Sequence, residues 1–286
     1  MEHPAFFAID GDGRYVPTAR ARSLWSDTMV TGPAVVAALA RAAEVDHGAD
    51  GFVPVRFTVD LFAPVPFEPL TVETRAVRTG NRIRVADAWL LQDGETVARA
   101  SLIQLRRGEP APGRSWQPER VLPVPEQVAD APLSPGERGF FGSGGGAVSW
   151  SHDKSDHQNA GRKRLWLRPL DVVVGESATP FQRAATLGES TSFMAHWGDA
   201  GMAYINADLT IALARLPRTD DFGVEADTHI NAEGVAVGSA TLYDRDGVFG
   251  TGTVVALANA RRLIDFSDPA LSASGIGATS VGAEAI

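Results

Sequence analysis

The sequence predicts an α+β fold made of two similar halves, and three observations carry that prediction. Runs of alternating or β-branched residues recur in two blocks. A helix-forming stretch precedes each block. The order of elements and the placement of turns then repeat at an offset of about 152 residues, and a repeat takes precedence over other readings. A chain of 286 residues holds one large domain or two halves, at roughly 100–200 residues per domain.

The first helix is expected over GPAVVAALARAAEVDH, with Pro33 at its start and an apolar stripe at Val35, Leu39 and Ala42–Ala43. Four strands follow: FVPVRFTVDLFAP, LTVETRAVRTG, NRIRVADAWLLQDG and ETVARASLIQLRR, each bounded by Pro, Gly or Asp-Gly. The second copy opens with the helix ATPFQRAATLGESTSFM, where Ser177 and Thr179 are N-cap candidates and Pro180 lies in the first turn. Its strands are DLTIALARLP, FGVEADTHINAEG, VAVGSATLYDRDG and VFGTGTVVALANARR. Each half would wrap its sheet around its helix, and the two copies would pair edge to edge like a dimer fused into one chain. The expected organisation is an N-terminal half over 1–107, a Pro/Glu/Gly-rich linker over 108–136, a C-terminal half over 137–265 and a Ser/Gly/Ala-rich flexible tail over 266–286.

Composition narrows the function. A net charge of −9 with no basic stripe argues against nucleic acid or an anionic membrane surface as partner. The absence of cysteine removes disulfides, thiolate zinc sites and cysteine nucleophiles. No secretory signal precedes the first strand, and no run approaches the ~18 apolar residues of a spanning helix, so a soluble cytoplasmic protein is expected.

The segment LWSDTMVTGPAVVAALARAA (24–43) resembles the helix start of the double-hotdog proteins related to acyl-CoA thioesterase II. LWLRPLDVVVGE, PFQRAATLGE, YINADLTIALARLP and LYDRDGVFGTGTV resemble the C-terminal half of that family, and the likeness spans roughly residues 20–262. It implies a double hotdog: two fused hotdog halves, each an antiparallel sheet wrapped around a helix, with a cleft where they meet. It implies an acyl thioester of coenzyme A or acyl carrier protein as partner, hydrolysis by an activated water, and no metal or redox cofactor. Relatives assemble further through their sheets, so a homo-oligomer is expected.

Carried over residue by residue, the resemblance matches Glu189 to the family's catalytic Asp, as general base at the end of the second helix. Asn206 falls near the family's water-positioning residue. Asp208 follows two residues on, and strand alternation places it and Thr210 on the same face. Asp208 either helps hold water or anchors the wall by accepting backbone N–H groups. Thr31 stands where the family has His, and Gly32 and Ala34 carry the backbone amides for the thioester oxyanion, since Pro33 has none. The family's Gln is missing: its place falls on Val254 or Val255, with Thr251 and Thr253 nearby. Two readings stay open, an acyl-CoA thioesterase and a non-catalytic acyl-CoA or lipid-binding hotdog. A hydratase is set aside, because neither helix start carries a His.

Other motifs weigh less. FGSGGGAV matches a loose dinucleotide pattern but is not followed by a helix. SHDKSDHQ groups His152, Asp153, Asp156 and His157 and reads as a charged surface loop. His229 reads as a partly exposed strand residue, and Trp197 as a residue able to lid the cleft.

Overall fold

The computed structural model describes residues 4–117, 119–120, 122–144, 149–259 and 261–268. The tail beyond Asp268 and part of FGSGGGAV lie outside the described residues.

The first half places helix α1 (Gly32–His47) ahead of strands Phe52–Leu61, Thr71–Thr79, Ile83–Gln92 and Glu95–Arg106. In the second half, α2 (Pro180–Gly188) and α3 (Ser190–His196) precede strands Asp208–Leu213, Phe222–Ala232, Val235–Asp244 and Gly247–Ala258. Tight turns set the hairpin registers. Asp93-Gly94 and Glu233-Gly234 both hold positive φ, the backbone of a two-residue hairpin turn that matches strand twist.

The two sheets join into one. Phe52–Leu61 pairs antiparallel with Asp208–Leu213, with Thr58 opposite Thr210. Their hydroxyls lie 3.0 Å apart although the residues are 152 apart in the chain. The two copies of the same position therefore face each other across a pseudo-twofold axis, as the sequence repeat requires. On the second-half side, Lys163–Leu167, Phe140–Ser143 and Ser149–Ser151 extend the sheet. A separate small sheet ties the N-terminal strands Ala5–Ile9 and Tyr15–Pro17 to Asp171–Val173 of the second half. Neither addition was expected from the repeat.

α1 is apolar on nearly every side because it is enclosed on nearly every side. Ala34 through Ala40 are all at most 2% exposed. The helix packs on the three later strands of its own half and on α2, while α3 packs on the sheet of the second half. Small alanine side chains allow this close approach. Across the halves, Phe57 meets Phe181 edge to face with centroids 5.6 Å apart.

The second helix is not continuous. The chain breaks at Glu189 and resumes as α3, with Glu189 keeping helical angles (φ −62°, ψ −28°). Thr179 is the N-cap of α2, in a full capping box with Gln182, and Pro180 is its first residue. The linker is pinned down: Val128 and Leu133 are buried against Phe140, Trp166 and Tyr243, and the Leu133 N–H donates to Asp221 at 3.0 Å.

Candidate active site

A cavity of about 450 Å³ opens where the two halves meet. The start of α1 supplies Thr31, Gly32 and Pro33; the α2–α3 junction supplies Glu189, Ser190 and Ser192; the strand Tyr204–Asn206 supplies Ile205 and Asn206. Most of the remaining wall is apolar, including Leu24, Trp25, Phe62 and Phe193.

Glu189 is buried, and its Oε1 accepts a 3.2 Å hydrogen bond from the Asn206 amide. Burial pushes the Glu189 carboxyl up to about 7, against a smaller lowering by Asn206. A methyl group built on Gly32 would lie 2.9 Å from Glu189 Cδ and would overlap Oε1. Gly32 is therefore the residue type that lets the carboxylate reach the helix start. As the first residue of α1, Gly32 has no intrahelical acceptor for its N–H. No described residue accepts that N–H, leaving a donor at the positive end of a helix.

Three of the seven residues expected at the site sit otherwise. Ala34 is fully buried outside the cavity, and its N–H donates to Thr31 O at 3.1 Å. Asp208 and Thr210 do not line the cavity either. The reason is a slip in register. Asn206 pairs with Ala256, but Thr210 pairs with Thr253, so one extra residue is accommodated between them. This β-bulge reverses the alternation, leaving Asn206 on the face of Ala256 and Asp208 on the face of Thr253. Asp208 Oδ1 accepts the Val255 N–H at 2.6 Å, closing the bulge. Burial, with Asp60 across the strand pair adding to it, raises the Asp208 carboxyl, and the Val255 bond opposes them.

Thr31 is the N-cap of α1 by position, yet its side chain makes no capping bond and lines the cavity. Val254 is buried, Val255 is exposed, and Thr251 and Thr253 lie on the exposed face. None of the four lines the cavity.

Two of the lesser sequence readings also change, while His229 keeps its exposed place on a strand. Trp197 is buried among Phe141, Phe193 and Phe266 and is no lid. His157 is buried between Ser143 and Ser151 rather than standing on a surface loop. His229 is exposed but bonded, its Nδ1 2.8 Å from His196 Nδ1. Burial, with the His229 ring acting the same way, lowers His196 to about 4. Among the described residues no group of three His, Asp or Glu side chains is placed to hold a metal ion. Sequence reasoning missed Ser190, Ser192, Asn259 and Arg262 at the cavity. The two serines flank Glu189 closely enough in sequence to have been suspected; nothing local marked the other two.

Two hotdog halves enclosing an apolar cavity with an acid, an amide and a free helix-start amide define a thioester-handling protein of the double-hotdog class. The chain matches the acyl-CoA thioesterase N-terminal domain over residues 21–105 and the acyl-CoA thioesterase C-terminal domain over residues 118–258. It belongs to the acyl-CoA thioesterase family and is acyl-CoA thioesterase-like in function. No curated protein sequence matches it. Among solved structures, the tesB protein of Mycobacterium avium subspecies paratuberculosis is similar at 16% identity and a TM-score of 0.60, covering 86% of this chain and 92% of that one. A conserved hot dog fold protein of unknown function from Alicyclobacillus acidocaldarius is similar at 20% identity and a TM-score of 0.62, covering 88% and 96%. Acyl-CoA thioesterase II TesB2 of Mycobacterium marinum is similar at 13% identity and a TM-score of 0.58, covering 79% and 88%. At these identities the structures establish the double-hotdog fold.

Proposed function

We propose that the protein hydrolyses acyl thioesters of coenzyme A in this cavity. The observation that carries the proposal is the convergence of the Glu189 carboxylate, the Asn206 amide and the Gly32 helix start on one cavity. Ionised Glu189 takes a proton from water, which adds to the thioester carbonyl carbon. The oxyanion is held by the Gly32 N–H and the positive end of α1. Collapse breaks the C–S bond, and the proton on Glu189 passes to the departing thiolate, giving a carboxylic acid and free coenzyme A. Asn206 orients Glu189. The Thr31 hydroxyl, free to enter the cavity, takes the water-orienting place that the family gives to Gln.

The test is thiol release from short-, medium- and long-chain acyl-CoA by the protein and by Glu189→Gln. Turnover lost in the variant supports the proposal. Tight acyl-CoA binding without turnover by the unmodified protein would favour the binding-only reading, which a valine (Val254 or Val255) at the family's Gln position supports. Acyl carrier protein thioesters form a second arm of the same assay, and a cytoplasmic location fits either carrier. Self-association is supported by exposed Ile230, Val237 and Val255, register neighbours on the outer sheet face. Val237→Glu is expected to lower the mass measured by light scattering.

A further inference from the structure

Among the described residues lining the cavity, Arg262 is the one cation and Glu189 the one acid. Their situations are opposite: Glu189 is buried and Arg262 is exposed. Arg262 stands on the turn after the last long strand. Its N–H donates to Asn259 O at 3.0 Å, and the next residues bridge back to Met202 through Ile264. The turn is thus fastened to another part of the cavity wall, since Met202 lines it too. The Arg262 guanidinium makes no hydrogen bond or ion pair with a described residue. Arg22, beside the lining residue Ser23, is by contrast occupied: it lies 4.1 Å over the Phe67 ring and donates to Asp27 O.

A chain of net charge −9 repels a polyanionic substrate as a whole, so attraction must come from a local cation. A guanidinium fork matches phosphate oxygens in pairs, and an apolar cavity beneath it matches an acyl chain. We infer that Arg262 binds phosphate on the thioester's carrier, orienting the substrate with its acyl group in the cavity. The inference rests on the acyl-thioester reading above. Phosphate is common to coenzyme A and to the phosphopantetheine arm of an acyl carrier protein, and the substrates below separate the two.

The experiment compares Arg262→Ala and Arg262→Lys with the unmodified protein on one acyl group carried by coenzyme A, by phosphopantetheine and by pantetheine. Arg262→Ala is expected to raise KM for acyl-CoA about tenfold, the size of one charge-assisted hydrogen bond, with kcat changed less than twofold. The rise should be absent with acyl-pantetheine, which has no phosphate, and partly reversed in Arg262→Lys. A rise that persists with acyl-phosphopantetheine assigns the contact to the phosphate shared with carrier protein; its loss there assigns it to the nucleotide end of coenzyme A. Equal effects on acyl-CoA and acyl-pantetheine, or no effect on either, overturn the inference. Calorimetry with free coenzyme A separates this outcome from failure of the hydrolysis reading. Weaker coenzyme A binding by Arg262→Ala upholds the inference even where no acyl-CoA is cleaved, and equal affinity overturns it even where hydrolysis is seen.

Discussion

At the scale of single residues, the site turns on the cost of burying Glu189. Its folded-state pKa of about 7 lies above the ordinary 4.5, so the folded protein keeps a proton that the unfolded chain has released between those values. Stability therefore falls as pH rises from about 4.5 to about 7 and levels off above. Glu189→Gln removes the buried charge, and denaturant unfolding at pH 8 is expected to show a gain of up to about 3 kcal/mol that vanishes at pH 4. The same variant is expected to lose turnover, and kcat/KM of the unmodified protein to rise with pH through about 7. A profile flat from pH 5 to 9 would remove Glu189 from the base's role. Gly32→Ala forces a methyl group into the carboxylate, and a displacement of about 1 Å costs on the order of a hundredfold in kcat.

At the scale of elements, two local irregularities build the site. The break between α2 and α3 makes Glu189 the C-cap of α2 and the N-cap of α3 at once, so the two helix ends act in opposite directions on its charge. The bulge at Ala207–Asp208 turns Asn206 toward Glu189 and Asp208 away from it. Asp208→Ala is expected to cost about 1–2 kcal/mol in thermal unfolding by leaving the Val255 N–H unpaired, with kcat/KM within about threefold. A hundredfold loss of kcat/KM would return Asp208 to the chemistry. Asn206 was legible in the sequence from its likeness to the family; the face of Asp208 was not, because strand alternation assumes an unbroken register.

At the scale of the whole molecule, the two halves share one sheet and one core, and the cavity belongs to neither half alone. α1 of the first half faces Glu189 of the second, and Phe57 of the first packs on Phe181 of the second. Such a shared core is expected to unfold in a single calorimetric transition. Phe57→Ala, at a fully buried position, is expected to cost about 3–5 kcal/mol and shift that transition without splitting it. Two resolved transitions would mean that the halves fold independently.

The periodicity of the strands, the Pro and Gly punctuation and the helix-forming runs determined the elements of both repeat units, because these signals act within a few residues. The repeat offset determined that Thr58 and Thr210 are equivalent, and a dimer-like fold then brings equivalent positions together at the axis. Only the tertiary structure decided which polar residues meet. Whether Glu189 is buried, whether Asn206 faces it and whether Arg262 reaches the cavity depend on packing between segments far apart in the chain. A one-residue bulge, a helix break and a pinned turn leave little trace in local propensity, yet each redirects a side chain.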